Sequence, residues 1–222
     1  EEQESLARYF DQKLFHVLTP LAVDPGHPFP FISNLSTSLG VTLRHPGADP
    51  VFARIKIPGN FPSWVELKSG IGSGSGEFRL IRLSDVVVRF LDRLFPGMEI
   101  LDTVKFRITR NADIERDEED AEDLLEMMAQ ELKERRFASV VRLEHSKCKD
   151  PSIIEFLKQE LELEEGDVYE QDVDVDFAAL QPLWSLPIRD LKFRPYTPAL
   201  PKELCDPDSI LFEVIRRQDI LV

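Results

Sequence analysis

Met98-Glu99-Ile100-Leu101-Asp102-Thr103-Val104-Lys105-Phe106-Arg107-Ile108-Thr109-Arg110 is the stretch on which the fold class turns. From Val104 on, apolar and polar residues alternate, and successive side chains of an extended chain point to opposite faces. Phe106 and Ile108 therefore point into a core, while Lys105, Arg107 and Thr109 share the other face. With Arg110 that face makes a small cationic row suited to phosphate oxygens. The same pattern also suits a solvent-facing strand that salt-bridges the acidic segment following it.

Working outward, Ser36–Arg44 (Leu39, Val41, Leu43) and Val51–Ile57 (Val51, Ala53, Ile55, Ile57) alternate in the same way. His45-Pro46-Gly47-Ala48-Asp49-Pro50 joins them as a turn, so a hairpin is expected. Trp64–Leu67 and Glu77–Leu83 are two more strands, joined by the Gly/Ser-rich loop at 70–76. Its glycines fit neither G-x-G-x-x-G nor a G-K-[ST] ending, so it reads as a flexible hairpin loop. Helices are expected at Ser5–Phe15, from a cap at Ser84-Asp85 to Phe95, at Asp117–Arg136, from the Asp150-Pro151 start to Leu161, and at Asp208–Arg217. Short strands are expected at Val140–Glu144 and Val168–Val173. Thr19–Asn34 carries Pro20, Pro25, Pro28 and Pro30 and is expected to be extended and irregular, with Phe29, Phe31 and Ile32 anchoring it to the sheet. Residues 177–222 read as an extended Pro-rich wrap with a C-terminal linker helix. The expectation is an α+β fold: one domain over residues 1–222, a mixed β-sheet with helices packed against it, a hairpin-rich first half and helix/strand alternation in the second.

The 222 residues carry a formal net charge of −14, concentrated in two segments. Asn111–Glu134 holds eleven acidic and two basic residues, and Glu155–Asp176 holds ten and one. The rest of the chain is slightly positive. That distribution argues against polyanion or nucleic-acid binding by the whole surface and leaves a local basic patch open. The acidic runs suit solvated helix faces, with a metal or partner site as the alternative. No apolar run approaches the roughly 18–20 residues of a membrane span. Cys148 and Cys205, 57 residues apart, make no disulfide framework or zinc knuckle, which fits a reducing cytosol. The Glu1-Glu2-Gln3-Glu4 start, without Met or a basic-then-apolar leader, and the apolar end at Ile220-Leu221-Val222 read as an excised domain.

Self-contained chemistry is scarce. His16, His27, His45 and His145 lack metal-pair spacing. Asp24 stands where it can orient the His27 imidazole, although proline-locked turns also hold histidines for packing. Ser33 and Ser36 lack a G-x-S-x-G frame, neither cysteine has an activating context, and Asp117-Glu118-Glu119-Asp120 lacks an alternating ligand loop.

Five blocks carry a family resemblance: Leu18-Thr19-Pro20-Leu21-Ala22-Val23-Asp24-Pro25-Gly26-His27-Pro28-Phe29-Pro30-Phe31-Ile32-Ser33-Asn34-Leu35-Ser36, Phe52-Ala53-Arg54-Ile55-Lys56-Ile57-Pro58, Leu94-Phe95-Pro96-Gly97-Met98-Glu99, Phe106-Arg107-Ile108-Thr109-Arg110-Asn111-Ala112-Asp113 and Ile215-Arg216-Arg217-Gln218-Asp219-Ile220-Leu221. Together they resemble the middle, or head, domain of bacterial polyphosphate kinases of the long multidomain type. The Gly/Ser-rich loop at 70–76 is less typical of that family. The resemblance implies a parent enzyme that moves the terminal phosphate of ATP reversibly onto inorganic polyphosphate, using a phosphohistidine and magnesium. It implies too that the phosphorylated histidine, the magnesium site and the nucleotide contacts lie in other domains. None of the four histidines here matches the phosphorylated one, so no catalytic, cofactor-binding or metal residue is carried over to this chain. The implied local role is architectural: homo-oligomer contacts and assembly of the active-site tunnel with other domains of the same polypeptide. Lys105, Arg107 and Arg110 are the residues placed to face polyphosphate. The expected location is the cytoplasm, extending to peripheral association with the inner membrane face. A free-standing acidic interaction module without an enzymatic parent is the alternative.

Overall fold

The computed structural model describes residues 1–24, 26–67, 78–111, 137–171, 176–199, 201, 204 and 210–220. The loop at 70–76, the acidic helix expected over 117–136, the end of the strand expected at Val168–Val173, Cys205 and the start of the helix expected from Asp208 lie outside the described residues. Two compact units are distinguished, Glu1–Ser185 and Leu186–Val222. In the second, described elements are a 3-10 turn at Arg189–Leu191 and helix α6 (Leu211–Arg217).

The first unit is built on a six-stranded sheet ordered β1-β3-β2-β6-β7-β8. Its strands are β1 (Pro20–Val23), β2 (Thr37–Arg44), β3 (Val51–Lys56), β6 (Glu99–Arg110), β7 (Val140–Ser146) and β8 (Val168–Gln171). All neighbours are antiparallel except β7 and β8, whose parallel pairing needs a crossover that helix α4 (Ser152–Leu161) supplies. A separate two-stranded ribbon pairs β4 (Trp64–Glu66) with β5 (Leu80–Arg82), antiparallel as the hairpin reading requires. The expected mixed sheet with packed helices is what forms, and the alternation in the quoted stretch is the reason. Phe106 and Ile108 are fully buried and Val104 nearly so, while Lys105, Arg107 and Thr109 are half-buried on the other face.

Each sheet face has its own core. On one, Leu39, Val41 and Leu43 of β2 and Ala53 and Ile55 of β3 meet helix α1 (Glu2–Tyr9), the π turn Phe10–Leu14 that continues it, α2 (Leu83–Arg89) and α3 (Leu91–Leu94). On the other, Phe52, Val104, Phe106, Ile108 and Leu143 meet Ile153, Ile154 and Leu157 of α4. Gly40 lies on this second face, where a Cβ would come within 2.8 Å of the Phe52 ring and 3.1 Å of Val104. Asp102, 7% exposed, accepts from the backbone N–H groups of Thr103, Lys149 and Asp150, each at 2.8 Å, and so fixes the loop that enters α4. Asp150 in turn accepts from the Ser152 N–H at 2.9 Å, the start expected at Asp150-Pro151.

Four local expectations are corrected. Thr19–Asn34 is not irregular throughout, because Pro20–Val23 pairs with β3; a proline is compatible with the first residue of an edge strand, where no ladder donor is missed. Ser84 and Asp85 do not cap a helix to Phe95: α2 starts at Leu83 without a side-chain cap bond and breaks at Phe90 (φ −119°), whose ring turns onto Phe10 at 5.1 Å. The β-branched run Val86–Val88 holds a helix weakly at that break. Of the three anchoring apolar residues, Ile32 is 1% exposed but Phe31 is 41% exposed. Lastly, Phe177–Leu180 and helix α5 (Gln181–Trp184) are consecutive helical turns rather than extended chain. Asp176 accepts from the Ala178 N–H at 3.2 Å to start them, and Pro182 occupies the first turn of α5, where a missing donor is harmless.

Candidate functional site

The cationic row on β6 is the natural starting point. Alternation places Lys105 and Arg107 on one face, and neither is open to bulk solvent: their side chains are 18% and 16% exposed. Lys105 Nζ pairs with the Asp85 carboxylate at the start of α2, and Arg107 Nη1 lies 3.7 Å from Asp176. Arg110 is used differently. Its Nε and Nη2 donate to the Ile32 carbonyl (3.1 and 2.9 Å) and its Nη1 to the Ala138 carbonyl (2.6 Å). The guanidinium also stacks on the Phe31 ring, 4.6 Å from its centroid, and burial lowers its pKa from the ordinary arginine value. Sequence alternation thus identifies Lys105 and Arg107 as a pair, whereas Arg110 is a brace for the proline-rich segment.

A second arginine shares that bracing. Arg54, 4% exposed on β3, donates from Nε to Ser38 Oγ (3.1 Å) and from Nη1 to the Phe31 carbonyl (3.2 Å); desolvation pulls its pKa down. Arg110 N–H donates to Asn34 Oδ1 (2.9 Å), and Leu35 N–H to the Ile108 carbonyl (2.9 Å). The segment leading to β2 is therefore strapped to the sheet by side chains 23 to 78 residues away in sequence.

Two clefts open among the described residues of the first unit. One, of about 370 Å³, lies among the Ser33–Thr37 turn, the end of β3 and the β5–α2 junction, with Lys56, Arg82 and Asp176 in its wall. The other, of about 320 Å³, includes Lys105, Lys147, Thr103 and Ser146 and shares Arg82 with the first. Sequence reasoning missed the first cleft. Its hydroxyls were visible in Ser33 to Thr37, but the cations come from separate elements that only the folded sheet brings there.

Asp24 and His27 meet as expected: His27 Nδ1 lies 3.0 and 3.1 Å from the two carboxylate oxygens. That hydrogen bond, then the one from the Gly26 N–H, holds the Asp24 carboxyl below its usual range. The pair is on the surface and lines neither cleft. His145 is buried, with Nδ1 2.9 Å from the Ser146 carbonyl. The Cys148 thiol is pushed up by burial first and then by the Asp102 and Glu170 carboxylates, the reverse of an activated nucleophile. Among the described residues no three His, Cys, Asp or Glu side chains converge as a metal site, and Asp117–Asp120 falls outside them.

Comparison with known proteins agrees with this architecture. The chain is 44% identical over 225 residues to a polyphosphate kinase of Mycolicibacterium gilvum, and 42% identical over 228 residues to one of Mycobacterium ulcerans. Both alignments cover all of this chain and 31% of the relative, so the chain spans about a third of the length of these proteins. The crystal structure of a polyphosphate kinase from Porphyromonas gingivalis shares the fold, with a TM-score of 0.71 at 22% identity over the whole of this chain and 31% of that one. The family pattern described as the polyphosphate kinase middle domain matches residues 1–183, which takes in both clefts and the entire six-stranded sheet. By that match and by the 44% identity, the chain belongs to the polyphosphate kinase family, as its middle domain.

Proposed function

We propose that the chain is the non-catalytic middle domain of an enzyme that transfers the terminal phosphate of ATP to inorganic polyphosphate through a phosphohistidine outside residues 1–222. ATP and magnesium are held by other domains of the same polypeptide, and this domain contributes homo-oligomer contacts and part of the wall of the active-site tunnel, in the cytoplasm. The observation that supports a structural role is the engagement of the cationic row. Lys105 and Arg107 face the carboxylates of Asp85 and Asp176, and Arg110 spends its donors on backbone carbonyls. A phosphate chain can exchange with a carboxylate but not with a carbonyl inside a strap. Lys105 and Arg107 are thus the members of the row that meet polyphosphate, and Arg110 serves the fold.

The test is incubation of the chain with labelled ATP, magnesium and polyphosphate. Neither polymer growth nor an acid-labile phosphoprotein is expected, because phosphoryl transfer needs an activated acceptor and several charge-neutralising groups around it. Phosphorylation that disappears in His27→Ala would overturn the reading. Sedimentation equilibrium tests the oligomer contacts: self-association that rises with concentration is expected, and a strict monomer at every concentration removes that part of the role.

A further inference from the structure

In the second unit, Phe193-Arg194-Pro195-Tyr196-Thr197-Pro198-Ala199 leaves the Arg189–Leu191 turn as extended chain, starting from Lys192 at φ −118° and ψ 146°. A proline fixes its own φ near −65° and pushes the residue before it out of the helical region. Arg194, Pro195, Thr197 and Pro198 are all restricted in one of these two ways. The conformation they favour is the polyproline II helix, which has about three residues per turn and no internal hydrogen bonds. The segment suits both properties. Pro195, Pro198 and Pro201 recur at every third position, which sets them along one edge of such a helix, and Phe193 and Tyr196 take the next edge. Among the described residues no backbone hydrogen bond involves Phe193–Ala199. Every residue from Leu191 to Ala199 is exposed, Phe193 completely and Tyr196 to 85%.

A plain linker needs reach alone, which any extended sequence supplies. It needs neither a three-residue register of prolines nor two large rings held in water. We infer that Phe193–Pro201 is a docking segment for a separate protein that presents an aromatic-lined groove with an acidic rim. The proline edge enters the spaces between the groove's rings, and Phe193 and Tyr196 cover the groove's side. Because the backbone is already extended, binding costs little ordering entropy. Charge decides the kind of rim. From Lys192 to Lys202 the sequence carries Lys192, Arg194 and Lys202 and no carboxylate, within a chain of net charge −14. A carboxylate-rimmed groove is drawn to this segment and repelled by the acidic remainder of the chain. The role is independent of phosphoryl transfer and stands whether or not the parent enzyme has that activity.

The test is an NMR titration of an isotope-labelled SH3 domain, a module with an aromatic-lined groove and here chosen with carboxylates on its rim, with the whole chain. The groove resonances are expected to shift. Replacing Pro195 and Pro198 together by Ala should weaken binding about tenfold or more, through lost ring contacts. Pro198→Ala combined with Ala199→Pro keeps composition and reach but breaks the three-residue register, and a similar loss is expected. Arg194→Glu should weaken binding about tenfold at low salt and less at physiological salt. All these side chains are exposed on backbone without hydrogen bonds, so the melting midpoint of each variant should stay where it is. No shift of the groove resonances, or binding indifferent to the register change, overturns the proposal. So does loss of binding when the chain is carried within a polypeptide of its relatives' full length, of which it makes 31%, since the segment is then covered by that polypeptide's own domains. Self-association of the chain that disappears in the proline variants assigns the segment to a second copy, which also overturns it.

Discussion

Replacing Gly40 by Ala is the sharpest probe of how the sheet is assembled. Gly40 is on β2, paired with Arg54 on one side and Val104 on the other, and its missing side chain leaves the space into which the Phe52 ring leans. An added Cβ meets Phe52 Cε2 at 2.8 Å, Val104 Cγ1 at 3.1 Å and Phe52 Cζ at 3.2 Å. The first distance is shorter than side-chain carbons adopt, so the ring must move. It is not free to do so: its centroid stands 4.9 Å from Phe156 of α4 and 6.1 Å from Phe29 of the strap. Overpacking of this kind typically destabilises by about 1–3 kcal/mol. Replacing glycine in a strand returns about 0.5–1 kcal/mol through the unfolded chain, so the midpoints of the two ranges leave a net loss of about 1 kcal/mol. For a chain of this size that lowers the melting midpoint by about 2–4 °C. The assay is thermal and urea denaturation of the single and double variants. On a Phe52→Leu background the ring edge is gone, and the Gly40→Ala penalty should shrink to about 0.5 kcal/mol or less, a coupling expected only for residues in contact. An equal penalty on both backgrounds, or no penalty at all, refutes the close approach as the reason for glycine.

Three further outcomes are expected. Ile32→Ala should cost about 2–5 kcal/mol as a core truncation, whereas Phe31→Ala, losing an exposed ring on Arg110 and Phe137, should cost about 1–2 kcal/mol; equal shifts in urea midpoint contradict the assignment of Ile32 as the anchor. Helix α4 ends with Glu162 at φ +56°, the Leu163 N–H donating to the Lys158 carbonyl at 3.0 Å, so Glu162→Gly should stabilise by about 0.5–1 kcal/mol once left-handed strain is set against added chain entropy, and a lowered melting midpoint denies the cap. The Asp24 carboxyl, held down mainly by His27, should titrate below the ordinary carboxylate range in carbon-detected NMR; because the folded value is depressed, its stabilising contribution is present above the unfolded value and lost as pH falls through the folded one, and an unmoved titration in His27→Ala disproves the cause.

Periodic elements were legible because burial enforces the alternation. Val104, Phe106 and Ile108 cannot face water without exposing the second core, so the chain states the strand directly. Lys105 and Arg107 were legible for the same reason. Three kinds of information were not. The strap from Phe29 to Leu35 is held by Arg54 and Arg110, which act on carbonyls, and carbonyls carry no residue identity. The break at Phe90 depends on Phe10, 80 residues earlier in the chain, drawing the ring inward. The cleft needs Ser33, Lys56 and Arg82 from three separate elements, and no local pattern announces their meeting.

The two faces of β6 solve the burial of their side chains in different ways. One face is sealed by Phe106 and Ile108. On the other, the charges of Lys105 and Arg107 sit at 18% and 16% side-chain exposure, and removing charge from water is costly unless partners are supplied. Asp85 and Asp176 supply them, and each belongs to an element that lines a cleft: Asp85 to the smaller one through α2, Asp176 to the larger one through the turn it caps. The row is therefore an ionic clamp that fixes both cleft walls onto the sheet.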